Sequence, residues 1–240
     1  MRLFLTLGLL LLAGCTHPPQ TPDINGLWIN QALIDEAAQG RPLNTSGANL
    51  EWSINTRTGK AQMSNAFELG EGQLRQTSPT AWTVDYNGYG TDTLRVDGER
   101  LVQLATDHNP QQVFSRPANA ARTGERQSDT FRHALYAAYM AGPWKIIEGP
   151  GTGDTVIFAA DGGVSGFPRY DQYELCLGGD CSSQGAGNDT LSLYKGNKAD
   201  GWIFVRRGQR LELFHQINLS RPDEIPELTP GPRQWVLEKQ

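Results

Sequence analysis

The stretch Arg169-Tyr170-Asp171-Gln172-Tyr173-Glu174 gathers a guanidinium, two carboxylates and two phenols within six residues, then runs into Cys176 and Cys181. If it forms a strand, alternation puts Asp171, Tyr173 and Leu175 on one face and Tyr170, Gln172, Glu174 and Cys176 on the other. Two readings follow. One is a half-exposed strand held by its cysteines. The other is a recognition edge, since tyrosine and arginine are favoured at interfaces and a cross-linked hairpin loses little entropy on binding. In the second reading Arg169, Tyr170, Asp171, Tyr173 and Glu174 are the candidate partner-binding residues.

Other reactive side chains are dispersed. His17 lies in a proline-rich stretch, His108 in the turn Asp107-His108-Asn109-Pro110, His133 in a helical segment and His215 near a strand end. Asp107 and His108 form no catalytic pair, because neighbours on a strand or turn point apart; His133 falls off the apolar stripe of its helix and is expected in solvent. The chain contains no G-x-S-x-G, H-E-x-x-H, Walker loop or helix-opening G-x-G-x-x-G. No catalytic residue, metal ligand or cofactor is assigned. With 21 basic and 26 acidic residues in 240, and no basic run, a nucleic-acid partner is not expected.

The amino terminus has the layout of a bacterial secretory signal: Arg2, then an apolar stretch from Leu3 to Leu12, then small residues. That stretch is shorter than the roughly 20 apolar residues a membrane span needs. Leu12-Ala13-Gly14-Cys15 resembles the lipobox of bacterial lipoproteins. The resemblance implies a diacylglycerol thioether on Cys15, cleavage just before it and acylation of the new amino group. Two or three acyl chains hold firmly where one does not. Thr16 stands where aspartate would imply inner-membrane retention, so the expected location is the periplasmic side of the outer membrane. From Thr16 to Pro22 a proline-rich leash, extended at roughly 3 Å per residue, lifts the folded body off the lipid.

An oxidising periplasm makes a Cys176–Cys181 disulfide the expected state; a redox pair or metal site is the alternative. With Leu177 to Asp180 as a four-residue hairpin turn, the cysteines would face each other across two strands, with Gly178 and Gly179 supplying positive φ. So small a loop stabilises by about 2 kcal/mol.

The elements that must position these residues repeat. Gly26-Leu27-Trp28 opens one half and Gly142-Pro143-Trp144 a second. Asn49–Asn55 with Lys60–Met63 is answered by Thr155–Phe158 with Val164–Phe167. Trp82–Tyr86 is answered by Asn188–Tyr194, and Asp92–Leu104, turning at Asp97-Gly98, by Gly201–Phe214, turning at Arg207-Gly208. Each half closes in a short strand, Gln112–Ser115 and Gln234–Leu237. Between them Phe131, Ala134, Leu135, Ala138 and Tyr139 mark one amphipathic helix, capped by Ser128 or Asp129 and stopped at Gly142-Pro143; its stripe is expected on a barrel mouth or domain seam. The expected fold is mainly β: two tandem small antiparallel barrels or curled sheets joined by a linker with one helix. The expected limits are a leader at 1–14, lipidated cysteine and tether at 15–23, first β-domain at 24–117, linker and helix at 118–141 and second β-domain at 142–240.

Phe158-Ala159-Ala160-Asp161-Gly162-Gly163-Val164-Ser165-Gly166-Phe167 resembles the opening hairpin of META (HslJ-type) domains, small β-rich domains of bacterial envelope proteins, and departs from it at Pro168-Arg169-Tyr170, where those domains have Gly-Cys-Asn. The Gly-x-Trp start and hairpins also resemble lipocalin-like barrels. The function expected is a non-enzymatic envelope lipoprotein that binds a protein or cell-wall partner. The alternatives are a lipocalin-like binder of a small apolar ligand and an envelope enzyme. Replacing Cys15 by Ser should abolish incorporation of radiolabelled palmitate and leave an uncleaved precursor; label persisting in the variant would overturn the anchor.

Overall fold

The computed structural model describes residues 22–240 apart from 44, 46, 66, 108 and 120–124. Cys15, His17, His108, the leader, most of the leash and the middle of the linker lie outside the described residues.

Two eight-stranded antiparallel sheets, each strand pairing with its neighbour in the chain, form the body. The first is a closed barrel of β1 (Gly26–Ile29), β2 (Glu51–Asn55), β3 (Lys60–Ser64), β4 (Leu69–Ser78), β5 (Ala81–Asp85), β6 (Thr91–Asp97), β7 (Arg100–Gln103) and β8 (Gln112–Ser115), shut by Ile29 opposite Ser115. The second comprises β9 (Gly142–Glu148), β10 (Thr155–Phe158), β11 (Val164–Ser165), β12 (Gln172–Leu175), β13 (Thr190–Lys195), β14 (Lys198–Arg207), β15 (Arg210–Asn218) and β16 (Leu228–Lys239). Here β16 pairs with β9, and the gap between β11 and β12 is spanned by one bridge, Gly163 opposite Gln172, and by the Val164 N–H to Asp171 and Tyr173 N–H to Gly162 bonds.

The tandem pattern extends to atoms. Gly26 and Gly142 have φ of 102° and 117°, values that only glycine adopts readily. Two residues later the Trp28 and Trp144 indoles each donate to the carbonyl four residues back, Ile24 and Met140, both at 2.8 Å. A basic side chain from the closing segment covers each indole, Arg116 over Trp28 at 3.9 Å and Lys239 over Trp144 at 5.5 Å. The turns at Asp97-Gly98 and Arg207-Gly208 join β6 to β7 and β14 to β15.

Among the described residues three helices are present where one is legible from periodicity. α1 (Gln31–Ala38) follows β1, with the Asn30 side chain accepting from Leu33 N–H; α2 (Asp129–Tyr139) is the expected helix; α3 (Asp180–Gln184) is a short turn. The disulfide is formed, but not across a hairpin. Cys176 follows β12 and Cys181 sits in α3, with Cα atoms 5.9 Å apart, while β12 pairs with β13 instead. Of the two turn glycines only Gly179 has positive φ, and the Phe67 ring of the first half packs against it.

Strands are not shared between the halves, but the core is. Three tryptophans (Trp28, Trp52, Trp82) with Leu74, Leu94 and Phe114 fill the first barrel. The second cluster takes in not only its own barrel but also Phe131, Leu135, Tyr136 and Tyr139 of α2, Ile34 and Ala37 of α1, and Ile29 and Leu50 of the first barrel. Beyond α1, Gly40 approaches Gly208 so closely that a Cβ would lie 2.7 Å from its backbone nitrogen.

Two carboxylates, one buried and one partly buried, stitch this seam. Ser128 does not cap α2 through its side chain; it is left-handed at φ 75°, and its N–H donates to Glu51 Oε1 at 3.1 Å while the Phe131 N–H donates to Glu51 Oε2 at 3.1 Å. A residue of β2, 1% exposed, thus satisfies the first turn of a helix 77 residues later. Burial raises the Glu51 pKa despite the two backbone bonds that lower it. In the other direction Asp189 Oδ2 accepts from the Leu43 N–H at 3.2 Å.

Glu51→Ala strands both donors in a dry seam and should cost about 2–4 kcal/mol in urea unfolding followed by tryptophan emission, with Glu51→Gln recovering part. A loss below about 0.5 kcal/mol would show that the cap does not hold the helix. Burial pushes the Asp189 carboxyl from 3.8 up to about 6. The folded chain therefore holds that proton more tightly than the unfolded chain. The stability it contributes is full below its ordinary value and is lost as pH rises through about 6. Wild-type stability relative to Asp189→Asn should fall between about pH 4 and pH 7, by on the order of 1–3 kcal/mol; parallel pH profiles in calorimetry would refute this.

Candidate functional site

The second barrel is plugged at one end and open at the other. At the plugged end the Leu175 N–H donates to the Tyr136 hydroxyl at 2.9 Å, the Arg206 guanidinium donates to the Tyr139 carbonyl, and the Trp144 indole donates to Met140. Each of these strand residues has a counterpart towards the opposite end. Tyr170 precedes β12, Trp202 precedes Arg206 along β14, Trp235 precedes Lys239 along β16, and Pro150 follows β9. There they surround a cleft of about 740 Å³, within the range that small-ligand sites occupy.

Its floor is aromatic. Trp202 and Trp235 have ring centroids 5.0 Å apart at 57°, Phe167 lies 4.9 Å from Trp235, and the exposed His215 ring lies 4.5 Å from Trp202. The Trp235 indole is fixed by donating to the Pro150 carbonyl at 3.1 Å, and His215 Nε2 lies 2.9 Å from Gln234 Oε1. The rim is polar. The Tyr170 hydroxyl donates to Asp200 Oδ2 at 2.6 Å; burial, then this carboxylate, push the phenol up to about 12. The Trp202 indole N–H is near enough to counter that rise, yet it completes no hydrogen bond of normal geometry. Arg169 and Gln216 complete the opening.

The five residues singled out in the sequence divide between environments. Arg169 and Tyr170 line the cleft. Tyr173 is 3% exposed, stacks on Tyr136 at 4.9 Å and donates to the Ala159 carbonyl at 2.8 Å, which places it in the core. Burial raises its pKa. Asp171 is exposed and pairs with Lys195 at 3.0 Å. Glu174 accepts from Arg132 at 2.8 Å and from the Tyr194 hydroxyl at 3.2 Å, on the far side of the strand from Tyr173. Asp171, Tyr173 and Glu174 line a separate open cleft of about 480 Å³ with Tyr136 and Tyr194, so the five are divided between two clefts. His133 is partly buried rather than solvated, with Nδ1 3.0 Å from Glu125.

Sequence reasoning missed Phe167, Asp200, Trp202, His215 and Trp235 as a group, because they come from three strands and a loop. The Trp202 and Trp235 rings are 3% and 8% exposed, each lying against two other aromatic rings, and the exposed Arg169, Asp200 and His215 give the cleft its hydrogen-bonding groups. His215 faces an amide and Asp200 a phenol, so no nucleophile–base relay is assembled there. Among the described residues no group of three or more His, Cys, Asp or Glu side chains is placed to hold a metal ion. No protein-family model matches the chain, and no curated protein matches it in sequence.

Proposed function

We propose that this chain is a non-enzymatic envelope lipoprotein, tethered through Cys15 at the periplasmic face of the outer membrane, that binds a protein or cell-wall partner through the mouth of its second barrel. The observation that carries the reading is the aromatic cleft with its polar rim, left open in a barrel whose other end is plugged by α2. The first barrel, filled by its own tryptophans, serves as scaffold. The signal layout and the lipobox resemblance support the location, and the oxidised Cys176–Cys181 pair accords with it.

A second reading, a lipocalin-like holder of a small apolar ligand, is favoured by the concave aromatic floor. It is disfavoured by the rim, since a wholly apolar guest would desolvate Asp200 and Arg169 without compensation.

The test separates the mouth from the flank. The mature chain, immobilised, is exposed to envelope extract alongside Trp235→Ala and Asp171→Ala variants. Material retained by wild type and Asp171→Ala but lost, at least ten-fold, by Trp235→Ala supports the mouth. Loss through Asp171→Ala with retention by Trp235→Ala would move the site to the exposed flank of β12.

A further inference from the structure

We infer that the Cys176–Cys181 disulfide is a redox-responsive clasp. Oxidised, it fastens a surface turn of the second half onto the first; opened by a dithiol, it releases that contact while both barrels stay folded. The bond lies outside both cores. Cys176 continues the ladder beyond β12, its N–H donating to the Thr190 carbonyl at 2.9 Å. Cys181 is exposed and belongs to α3, which has no buried residue. No strand lies between the two cysteines, so opening the bond removes no pairing from either sheet.

The turn that the bond ties down faces the first half. Between the cysteines, the Leu177 carbonyl accepts from the Thr45 hydroxyl at 2.5 Å, and the Phe67 ring packs on Gly179, leaving no room for a side chain there. Beyond α3, Asp189 accepts from the Leu43 N–H at 3.2 Å. Residues 43, 45 and 67 of the first half thus all meet the segment that the disulfide closes. Leu177-Gly178-Gly179-Asp180 holds two glycines, the residues that lose most freedom on ordering. The cross-link removes part of that freedom in advance. Glu51, which holds the start of α2, is a separate fastening without sulfur and is untouched by reduction.

Exchange requires a thiolate to reach one of the two sulfurs. Both cysteines border an open cleft of about 360 Å³, and Cys181 is the exposed partner. A thiolate of the incoming dithiol attacks Cys181 Sγ, the Cys176–Cys181 bond breaks, and Cys176 leaves as a thiolate. The second thiol of the dithiol then displaces Cys181 from the mixed disulfide. Two electrons pass to the protein, the dithiol becomes a disulfide, and its two protons end on Cys176 and Cys181.

The experiment treats the mature chain with dithiothreitol under native conditions, counts thiols by iodoacetamide labelling and intact mass, and follows amide hydrogen exchange. The Leu43 amide is bonded across the contact and the Ala48 amide closes the turn that carries Thr45. The expected result is two labelled thiols and exchange faster by about ten-fold or more at these two amides, with Phe131 and the β5 amides unchanged. The double variant Cys176→Ser, Cys181→Ser should exchange like the reduced chain and not respond to dithiothreitol. Thiols that stay unlabelled while the chain is folded would overturn the inference, because the bond is then closed to reductants. Two labelled thiols without faster exchange at Leu43 and Ala48 would also overturn it, leaving the disulfide as a surface staple with no hold on the first half. Equal acceleration at Phe131 and β5 would replace the clasp with a general loss of stability.

Discussion

The Glu51 carboxylate is the constraint on which the rest of the molecule depends. It belongs to β2, yet the two N–H groups it accepts from begin α2, and α2 is the plug of the other barrel. A helix start buried without partners is costly, and α2 has no side-chain cap of its own. Glu51 therefore fixes where α2 begins, and so where Tyr136 and Tyr139 reach into the second barrel. Asp189 answers from the opposite side by accepting from Leu43. Because each carboxylate and its donor belong to different halves, neither bond is formed without its partner half in place.

The two barrels share a plan and differ in what they enclose. In the first, three tryptophans and a ladder of leucines occupy the interior, and a buried polar chain from Asn49 through Gln103 and Asp92 to the Tyr86 hydroxyl closes its hydrogen bonds internally. In the second, aromatic rings crowd the end that α2 occupies, and Trp202 and Trp235 end the packing short of the far rim. The same strand order thus yields one barrel packed throughout and one with a cleft at its mouth; side chains, not topology, decide which is which.

How much of this was legible in the sequence follows from how far apart the interacting residues lie. Gly-x-Trp starts, Asp97-Gly98 and Arg207-Gly208 turns and the alternating strands between them are local signals, and they specified two curled antiparallel sheets and the hairpins β2–β3, β6–β7, β10–β11 and β14–β15. β4 escaped notice because Leu69–Ser78 holds only two apolar residues, and its exposed positions leave no clear alternation. α1 escaped because eight residues give barely two turns of periodicity. Glu51 sits between Leu50 and Trp52 and reads as an ordinary strand residue; nothing near it announces a helix elsewhere in the chain. The cleft was half legible. Arg169 and Tyr170 stand together in the sequence and line it, whereas Asp171, Tyr173 and Glu174, adjacent in the chain, line a separate cleft.

The direction of the Glu51 contact has a consequence for how the molecule is made. Domains tend to fold in the order in which the chain is made, amino terminus first. The first barrel requires no strand from later in the sequence, so it is complete when α2 arrives, and the docking point for that helix is already rigid. The second barrel then assembles against a surface instead of closing around itself in isolation. The order of the polypeptide thereby becomes an assembly order, with the first barrel acting as an intramolecular template for the second.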